Sequence, residues 1–259
     1  MKPKLNIVKI GGNIIENAAE LDKFLELFAD LEMPKILVHG GGKMASALES
    51  KLGIESKYFN GRRITGKESL DVVVMVYGGL TNKSIVAKLQ GMGCNAMGLS
   101  GADGGIILAH KRPVKEVDFG YVGDVDSVDG KLVSNLLQAG ITPVFCALTH
   151  DGQGQMLNTN ADTIASELAI GMSEEYETTL YYCFEKKGVL MDVEDEESVI
   201  EKIDEEYYRE LLENNVISDG MLPKLHNCFH ALHSRVDQIN IGNMNMLKQN
   251  DESFTTIRL

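Results

Sequence analysis

The chain is poor in positive charge and in cysteine. Its 259 residues contain 25 lysines and arginines against 38 aspartates and glutamates, giving a formal net charge of −13. Binding to a nucleic-acid backbone requires a basic face, so this balance argues against a nucleic-acid partner. The four cysteines are widely spaced and form no C-x-x-C pair. They therefore predict small buried apolar residues rather than a disulfide scaffold or a metal site.

Several catalytic signatures are also missing. None of the six histidines lies in an H-E-x-x-H or other metal-ligand spacing, and Ser100 is not part of a G-x-S-x-G nucleophile elbow. Gly42 and Lys43 do not end a Walker A loop, because Leu37 stands where the first glycine is required. The segment 91–96 matches G-x-G-x-x-A, but it follows a predicted helix and precedes a predicted strand, the reverse of the dinucleotide-binding context. These absences disfavour a metalloenzyme, a serine hydrolase and a nicotinamide dehydrogenase.

Targeting and membrane signals are not evident either. The first strand pattern begins by Leu5, which leaves no room for a signal peptide, and no apolar run approaches the ~20 residues of a membrane helix. We therefore expect a cytoplasmic protein with no membrane partner.

Apolar periodicity predicts alternating strands and helices, hence an α/β fold with a mainly parallel central sheet between helical layers. A hairpin is predicted over 57–64 from Asn60-Gly61, and further hairpins over 107–131. The helix beginning at Asp162 is expected to end at Gly171. A composition shift near 171–178 divides the chain into lobes 1–171 and 172–259. The remaining predicted strands are 5–10, 36–38, 95–99, 143–147, 180–184, 238–241 and 255–259, and the remaining helices are 17–31, 43–52, 80–90, 132–139, 207–212 and 221–234.

Two glycine-rich turns each follow a short apolar strand. The first contains Gly11 and Gly12, and the second contains Gly40, Gly41 and Gly42. A strand that ends in glycines and leads into a helix presents free backbone N–H groups beside the positive end of the helix dipole. Two such turns indicate an enzyme that handles phosphate.

Charged residues occupy unusual positions near these turns. Lys9 interrupts an apolar strand one position before its glycines, so we expect its ammonium to reach an anion at the end of the strand. Asn160 is a helix cap, which leaves Asn158 and Asp162 as candidates for site chemistry. Lys224 lies in the first turn of a predicted helix, where a cation opposes the dipole unless an anion is bound.

Six motifs in order make the chain similar to the amino-acid kinase family, and within it to the enzymes that phosphorylate N-acetyl-L-glutamate with ATP in arginine biosynthesis. The motifs are 9–12, 38–42, 60–65, 98–101, 157–162 and 218–221 with Lys224. The resemblance implies the three-layer α/β/α fold of that family. It also implies transfer of a phosphoryl group to a side-chain carboxylate, giving N-acetyl-L-glutamyl 5-phosphate.

The resemblance also implies roles for individual residues. Lys9 and Lys224 would flank the transferring phosphoryl group, and Asp162 would hold both ammonium groups. The lobe 1–171 would bind the acylated glutamate, and the lobe 172–259 would bind ATP, with Mg²⁺ held chiefly by phosphate oxygens and no residue assigned as a metal ligand. Gly11 and Gly12 would contact the phosphates, while the acylated substrate would be bound by Gly41, Gly42, Arg63 and Asn158.

The chemistry agrees with this set of residues. A glutamate side chain is ionised near pH 7 and needs no general base, so catalysis requires in-line positioning and donors to the equatorial oxygens. Arg63 suits a substrate carboxylate because its planar group donates two parallel hydrogen bonds. Hairpin alternation puts Arg62 and Arg63 on opposite faces, and we expect Arg63 to point inward.

Some features of the chain depart from the family. Glu185 stands where an aspartate is usual, in the segment 183–189 expected to contact the nucleotide base and ribose. The chain begins at its first strand, without the helical extension of arginine-inhibited hexamers, so we expect a homodimer without arginine feedback. Three alternatives stay open: N-succinyl-L-glutamate as the substrate, another kinase of the same family, and a non-catalytic nucleotide-binding regulatory protein.

Overall fold

The computed structural model describes residues 2–32, 34–192, 194–214, 221–248 and 254–259. The strands are β1 Lys4–Ile10, β2 Lys35–His39, β3 Lys57–Phe59, β4 Arg62–Ile64, β5 Ala96–Leu99, β6 Ile107–Lys111, β7 Gly123–Val128, β8 Thr142–Cys146, β9 Leu148–His150, β10 Met156–Asn158, β11 Glu177–Cys183, β12 Lys202–Ile203, β13 Gln238–Gly242 and β14 Thr255–Ile257. The helices are α1 Gly12–Glu16, α2 Ala18–Asp30, α3 Gly42–Lys51, α4 Lys67–Val73, α5 Asn82–Gly91, α6 Gly130–Gln138, α7 Ala161–Met172, α8 Glu205–Glu213 and α9 Leu222–His233, with a π-helical segment Val74–Thr81.

An eight-stranded sheet forms the centre of the molecule. Its strand order is β12-β14-β13-β11-β1-β2-β8-β5, and only the β13–β14 pair is antiparallel. Strands from both ends of the chain meet at its middle, where β1 pairs with β2 on one side and with β11 on the other. The prediction of a mainly parallel α/β sheet is confirmed.

Residues of β1 alternate between the two faces of this sheet, because successive side chains of a strand point to opposite sides. Leu5 and Ile7 pack with residues of α6, α7 and α9, whereas Val8 and Ile10 pack with residues of α1, α2 and α5. All four side chains are fully buried. Each such burial stabilises the fold by roughly 1.5–3 kcal/mol. The alternation also sends the next odd position, Lys9, toward the face covered by α7.

Two smaller β elements stand beside the central sheet. One is a four-stranded sheet of order β10-β9-β6-β7, and the other is the β3–β4 hairpin. The hairpin turns through Asn60 and Gly61, whose φ angles of 48° and 73° are both positive, as a two-residue turn of this kind requires. The hairpin predicted from Asn-Gly is therefore confirmed.

The predicted end of α7 at Gly171 is wrong. The helix runs through Gly171 to Met172, and Ser173 is its C-cap. A Cβ added at Gly171 would lie 2.9 Å from the Cβ of Val128 in β7. Glycine is present here so that β7 can approach the helix, and not to terminate it.

The sequence pattern predicts a helix over 80–90 but none over 67–79. The structure has α4, the π-helical segment and α5 as one helix, Lys67–Gly91, which by length and composition alone could cross a membrane. Its most apolar window is 44% buried inside the protein, and core helices of soluble proteins pass the same test, so a single such helix is weak evidence for a membrane span.

The four cysteines are free and buried, as predicted, in four different parts of the fold. They are Cys94, Cys146, Cys183 and Cys228.

Candidate active site

The candidate site lies at the carboxyl edge of the central sheet, where β1, β2 and β11 end side by side. Open parallel sheets bind ligands outside the carboxyl ends of their strands, beside the point where the chain changes direction across the sheet. A cleft of about 400 Å³ lies here. It is lined by residues of the second glycine turn, the hairpin, the start of α7 and α9, among them Gly41, Gly42, Arg63, Asn158, Asp162 and Lys224.

Lys9, Asp162 and Lys224 line a small pocket, and this pocket shares Asp162, Lys224 and Asn227 with the cleft. The Lys9 Nζ lies 2.7 Å from Asp162 Oδ1, and both side chains are largely buried. Burial by itself raises the pKa of the Asp162 carboxyl, but the charge and hydrogen bond of Lys9, together with the charge of Lys224, hold that pKa below its ordinary value. Asp162 is therefore ionised, and its carboxylate holds the Lys9 ammonium in place.

The start of α7 fixes the position of Asp162. Asn160 caps the helix, and its side-chain oxygen accepts hydrogen bonds from the N–H groups of Asp162 and Thr163 at 2.7 and 3.2 Å. Tyr182 in β11 also binds this turn: its hydroxyl donates a hydrogen bond to the Asp162 carbonyl at 3.1 Å. A cap of this kind stabilises a helix by about 1 kcal/mol.

Lys224 reaches the site from the first turn of α9. Its Nζ lies 4.9 Å from the centre of the Phe184 ring, within the range of a cation–π contact. Phe184 directly follows β11. The residues Ser218, Asp219 and Gly220 of the last predicted motif lie outside the described residues.

The first glycine turn offers fewer free donors than the sequence indicates. The Gly11 N–H donates to the Cys183 carbonyl at 2.9 Å, and a Cβ at Gly11 would lie 3.3 Å from that oxygen. This bond ties β1 to β11. Gly12 is the first residue of α1, and the N–H groups of a first helical turn have no partner within their helix. Of the two predicted phosphate contacts, Gly12 has the available amide.

The second glycine turn is shaped by Tyr77. Gly41 precedes α3, and a Cβ at this position would lie 2.9 Å from the Tyr77 ring. Tyr77 is buried and belongs to the π-helical segment, which the sequence did not predict. Because the ring lies against the turn, only glycine fits at position 41. The first N–H groups of α3 consequently face the cleft without a side chain in front of them.

His39 and Asn82 form buried hydrogen bonds that hold the second glycine turn in place. The buried His39 donates from Nδ1 to the Gly40 carbonyl at 2.8 Å, and its Nε2 accepts from Asn82 Nδ2 at 3.0 Å. Asn82 also donates to the Val144 carbonyl at 2.9 Å. Burial lowers the pKa of His39 to about 4, although the Gly40 carbonyl opposes that shift. The imidazole is therefore neutral at pH 7.

This buried histidine predicts a loss of stability at mildly acidic pH. Unfolded His39 takes up a proton below pH ~6.5, but folded His39 does so only near pH 4, so the unfolded state binds more protons in between. The contribution of His39 to the free energy of unfolding is complete above pH ~6.5 and falls by about 3 kcal/mol as the pH decreases to about 4. Denaturant unfolding of the wild type and of His39→Asn at intervals of pH measures it. Parallel profiles for the two proteins would contradict the assignment.

Arg63 and Arg62 both line the cleft, but they differ in exposure to solvent. Arg63 is 8% exposed and Arg62 is exposed, as the alternation of the hairpin predicts. Arg63 forms an ion pair with the buried Glu49 and donates from Nη2 to the Gly42 carbonyl at 2.7 Å and to Ser46 Oγ at 2.6 Å. Three of its five N–H donors are thus used within the protein, and Tyr77 also forms a side-chain hydrogen bond with Arg63.

Asn158 ends β10 and faces the cleft. Its Nδ2 donates to Thr65 Oγ1 at 3.0 Å, and its backbone N–H donates to the Tyr121 carbonyl at 2.9 Å. Within the described part of the chain its side-chain oxygen accepts no hydrogen bond. That oxygen can accept from an N–H of a ligand.

The described residues include no group of three or more His, Cys, Asp or Glu side chains that could hold a metal ion. Sequence reasoning missed several residues of the site, and they are Glu49, Tyr77, Asn82, Arg112, Tyr182 and Asn227. Most are ordinary helix or strand residues by pattern. Only Glu49 could have been found from its sequence position, because it is a charged residue on the face of α3 that is buried.

The chain is similar to known proteins over nearly its whole length. Residues 4–243 match the model of the Amino acid kinase family. The acetylglutamate kinase of Bacteroides fragilis is 54% identical over 239 residues, which cover 92% of this chain and 92% of that protein. The acetylglutamate kinase of Bacteroides thetaiotaomicron is 52% identical over 251 residues, covering 97% and 98%.

Among solved structures, N-acetylglutamate synthase from Neisseria gonorrhoeae, in complex with coenzyme A and N-acetyl-glutamate, superposes with a TM-score of 0.83. It is 19% identical, and the match covers all of this chain and 60% of that one. At this identity the likeness concerns the fold alone.

Proposed function

The chain belongs to the amino acid kinase family, and we propose that it transfers the γ-phosphoryl group of ATP to the side-chain carboxylate of N-acetyl-L-glutamate in arginine biosynthesis. The product is N-acetyl-L-glutamyl 5-phosphate. Relatives that are 52–54% identical to it carry the name acetylglutamate kinase and match over nearly the full length. The observation that carries the proposal is the Lys9–Asp162 pair, with Lys224 beside it, in a small pocket that adjoins the polar cleft.

The reaction needs positioning rather than a base. The γ-carboxylate of the substrate is ionised at pH 7 and attacks the γ-phosphorus of ATP directly. A P–O bond forms to the carboxylate, and the bond to the bridging oxygen breaks, so that ADP leaves with the electron pair. Charge on the equatorial oxygens is the quantity that the protein must stabilise, and preorganised ammonium groups do so.

We assign the phosphoryl-transfer roles to Lys9 and Lys224, with Asp162 as the residue that positions them. Asp162 is ionised and lies at the start of α7, a rigid element, so the lysines converge without a cost of reorganisation. Gly12 and the first amides of α3 supply further donors to phosphate oxygens. Gly11 supports this loop through its bond to Cys183.

Magnesium would be held chiefly by the phosphate oxygens of ATP. The donor set fits this arrangement, because the Asp162 carboxylate is already paired with Lys9. When bound, the ion neutralises charge on the β- and γ-phosphates. The chain's own contribution is to orient the phosphates between the two lysines.

The acylated glutamate would occupy the cleft formed by the lobe 1–171. Gly41 and Gly42 would allow its carboxylate to approach the backbone, Arg63 would bind its α-carboxylate, and the Asn158 oxygen would accept from its amide N–H. The lobe 172–259 would bind ATP, with Phe184 and Glu185 near the base and ribose. Gly41, Gly42, Arg63 and Asn158 line the cleft, whereas Phe184 and Glu185 line a separate pocket beside α1.

A second candidate substrate, N-succinyl-L-glutamate, is favoured by one observation. Three arginines line the cleft, and two of them are paired: Arg63 with Glu49 and Arg112 with Asp124 at 2.6 Å. Arg62 makes no ion pair with any residue of the described ranges. An unpaired cation at this place suits an acyl group that carries its own carboxylate.

We further propose that the protein is a cytoplasmic homodimer. The edge strand β5 and the helix Lys67–Gly91 carry exposed apolar side chains, Met97 at 40%, Met75 at 53% and Leu80 at 58%. A second copy is the simplest partner for a sheet edge and an apolar helix face on the same side of the molecule. Sedimentation showing a monomer would refute this part of the proposal.

A hydroxylamine-trapping assay tests the proposed function. Acyl phosphates react with hydroxylamine to give hydroxamates, so we expect hydroxamate from N-acetyl-L-glutamate that depends on ATP. N-succinyl-L-glutamate, L-glutamate and L-aspartate serve as comparison acceptors. More product from a free amino acid would favour another kinase of the family. ATP binding with no hydroxamate from any acylated glutamate would favour a non-catalytic regulatory protein.

A further inference from the structure

A buried carboxylate lies behind the cleft wall. Glu49 is in α3, seven residues after Gly42, and its side chain is fully buried. It accepts hydrogen bonds from Ser56 Oγ, Ser69 Oγ and the Nη1 group of Arg63. These donors come from three separate segments: the loop after α3, α4 and β4. Glu49 therefore joins the hairpin and α4 to α3.

A buried carboxylate is costly unless it is fully paired. Burial by itself raises the pKa of Glu49, but the hydrogen bonds from Ser56 and Ser69 and the charge of Arg63 hold that pKa below its ordinary value. Glu49 is thus ionised at pH 7, and its charge is compensated within the protein. The ion pair with Arg63 is the only one that Glu49 makes in the described part of the chain.

Arg63 connects Glu49 to the second glycine turn, because its guanidinium bonds to both Glu49 and the Gly42 carbonyl. Gly42, Ser46 and Glu49 lie at positions i, i+4 and i+7 of α3, which places them on one face of the helix. The guanidinium of Arg63 lies along this face, bonded to the Gly42 carbonyl, Ser46 Oγ and Glu49. The ring of Tyr58 lies 5.0 Å from it on the hairpin. The guanidinium consequently has one orientation relative to the turn.

We propose that Glu49 is a positioning residue for the acylated glutamate: it fixes the Arg63 guanidinium, and through it the Gly41–Gly42 turn, without touching the substrate. This inference rests on the proposed function. It predicts that loss of the Glu49 charge affects binding of the acyl substrate and not binding of ATP, because the nucleotide lies at the other end of the site.

Glu49→Gln keeps the size of the side chain and removes its charge. We expect the KM for N-acetyl-L-glutamate to rise about tenfold, the loss expected for a charge-assisted hydrogen bond, while the KM for ATP changes less than about twofold. Glu55→Gln is the matched control, since Glu55 is an exposed residue whose only ion pair is with Lys57 at 3.7 Å in the described ranges. It should change neither constant.

Ser69→Ala is a milder second variant, which keeps the charge pair and removes one donor to Glu49. We expect the KM for the acyl substrate to rise about two- to threefold. If Glu49 acts through Arg63, Glu49→Gln adds no further rise in an Arg63→Met background. Additive effects, an equal rise in the KM for ATP, or unchanged constants in both Glu49→Gln and Ser69→Ala would overturn the inference.

Wild-type turnover, measured alongside, separates this inference from the proposed function. Absence of wild-type turnover on every acylated glutamate overturns the proposed function, and the inference with it. Normal wild-type turnover with an unchanged KM in the two variants overturns the inference alone.

Discussion

Replacing Lys9 with methionine should lower kcat at least about 100-fold, the loss found when one preorganised donor to a developing negative charge is removed. Methionine keeps the length and apolar stem of the side chain but has no ammonium group. Lys9 Nζ lies 2.7 Å from Asp162, so the change also removes the main charge that keeps the Asp162 pKa low. Steady-state kinetics at saturating ATP and acyl substrate measure the effect.

A matched control separates lost chemistry from lost folding. Lys51 is an exposed lysine at the end of α3. Lys51→Met should retain wild-type kcat. Circular dichroism and thermal unfolding should show that Lys9→Met remains folded. Without the charge of Lys9, burial favours the protonated form of the Asp162 carboxyl, and this neutral group can stay in place without its partner. Near-wild-type turnover in folded Lys9→Met would remove Lys9 from the mechanism.

Replacing Lys224 with methionine should reduce kcat by a similar factor, about 100-fold or more. The cost to stability should be smaller than for Lys9→Met, because Lys224 makes a cation–π contact with Phe184 rather than a short ion pair with Asp162. The measurement is kcat together with the midpoint of thermal unfolding for both variants. Lys202→Met, at an exposed position of β12, is the control.

The two lysine variants also test each other. Two cations that stabilise the same charge should give a double variant that is less impaired than the product of the two single effects. If kcat of Lys224→Met were unchanged, its position beside Asp162 would be structural. The phosphoryl group would then be stabilised by Lys9 and the backbone amides alone.

Much of the fold could be predicted because the strands obey simple alternation. In β1, Leu5, Ile7 and Lys9 share one face, so the lysine had to point toward the helix that covers Leu5 and Ile7. The Asn60-Gly61 turn was equally clear, since few residues adopt positive φ at two successive positions. Local rules sufficed wherever the cause of the structure was local.

The failures have a common physical origin in packing between distant segments. Gly171 reads as a helix end, but its role is to admit Val128. The π-helical segment contains Gly78 and Gly79, which disfavour a helix by propensity, yet Val76 and Tyr77 bury apolar surface there. Tertiary contacts outweighed propensity in both places.

The site shows the same division. The structure pairs Lys9 with Asp162 and places Lys224 in the same pocket, which is the grouping that the family resemblance implied, and the catalytic roles of the three residues stay predictions. The sequence could not indicate that Gly11 donates its amide to Cys183, or that Arg63 is already bound to Glu49. Those facts depend on which segments lie side by side, and periodicity does not contain that information.

The most direct test is a crystal structure of the protein with a non-hydrolysable ATP analogue, Mg²⁺ and N-acetyl-L-glutamate. We predict that the Nζ atoms of Lys9 and Lys224 both lie about 2.7–3.0 Å from oxygens of the γ-phosphate, which faces the substrate carboxylate in line. A γ-phosphate bound away from the two lysines, in crystals grown from protein that turns over ATP in solution, would contradict the account.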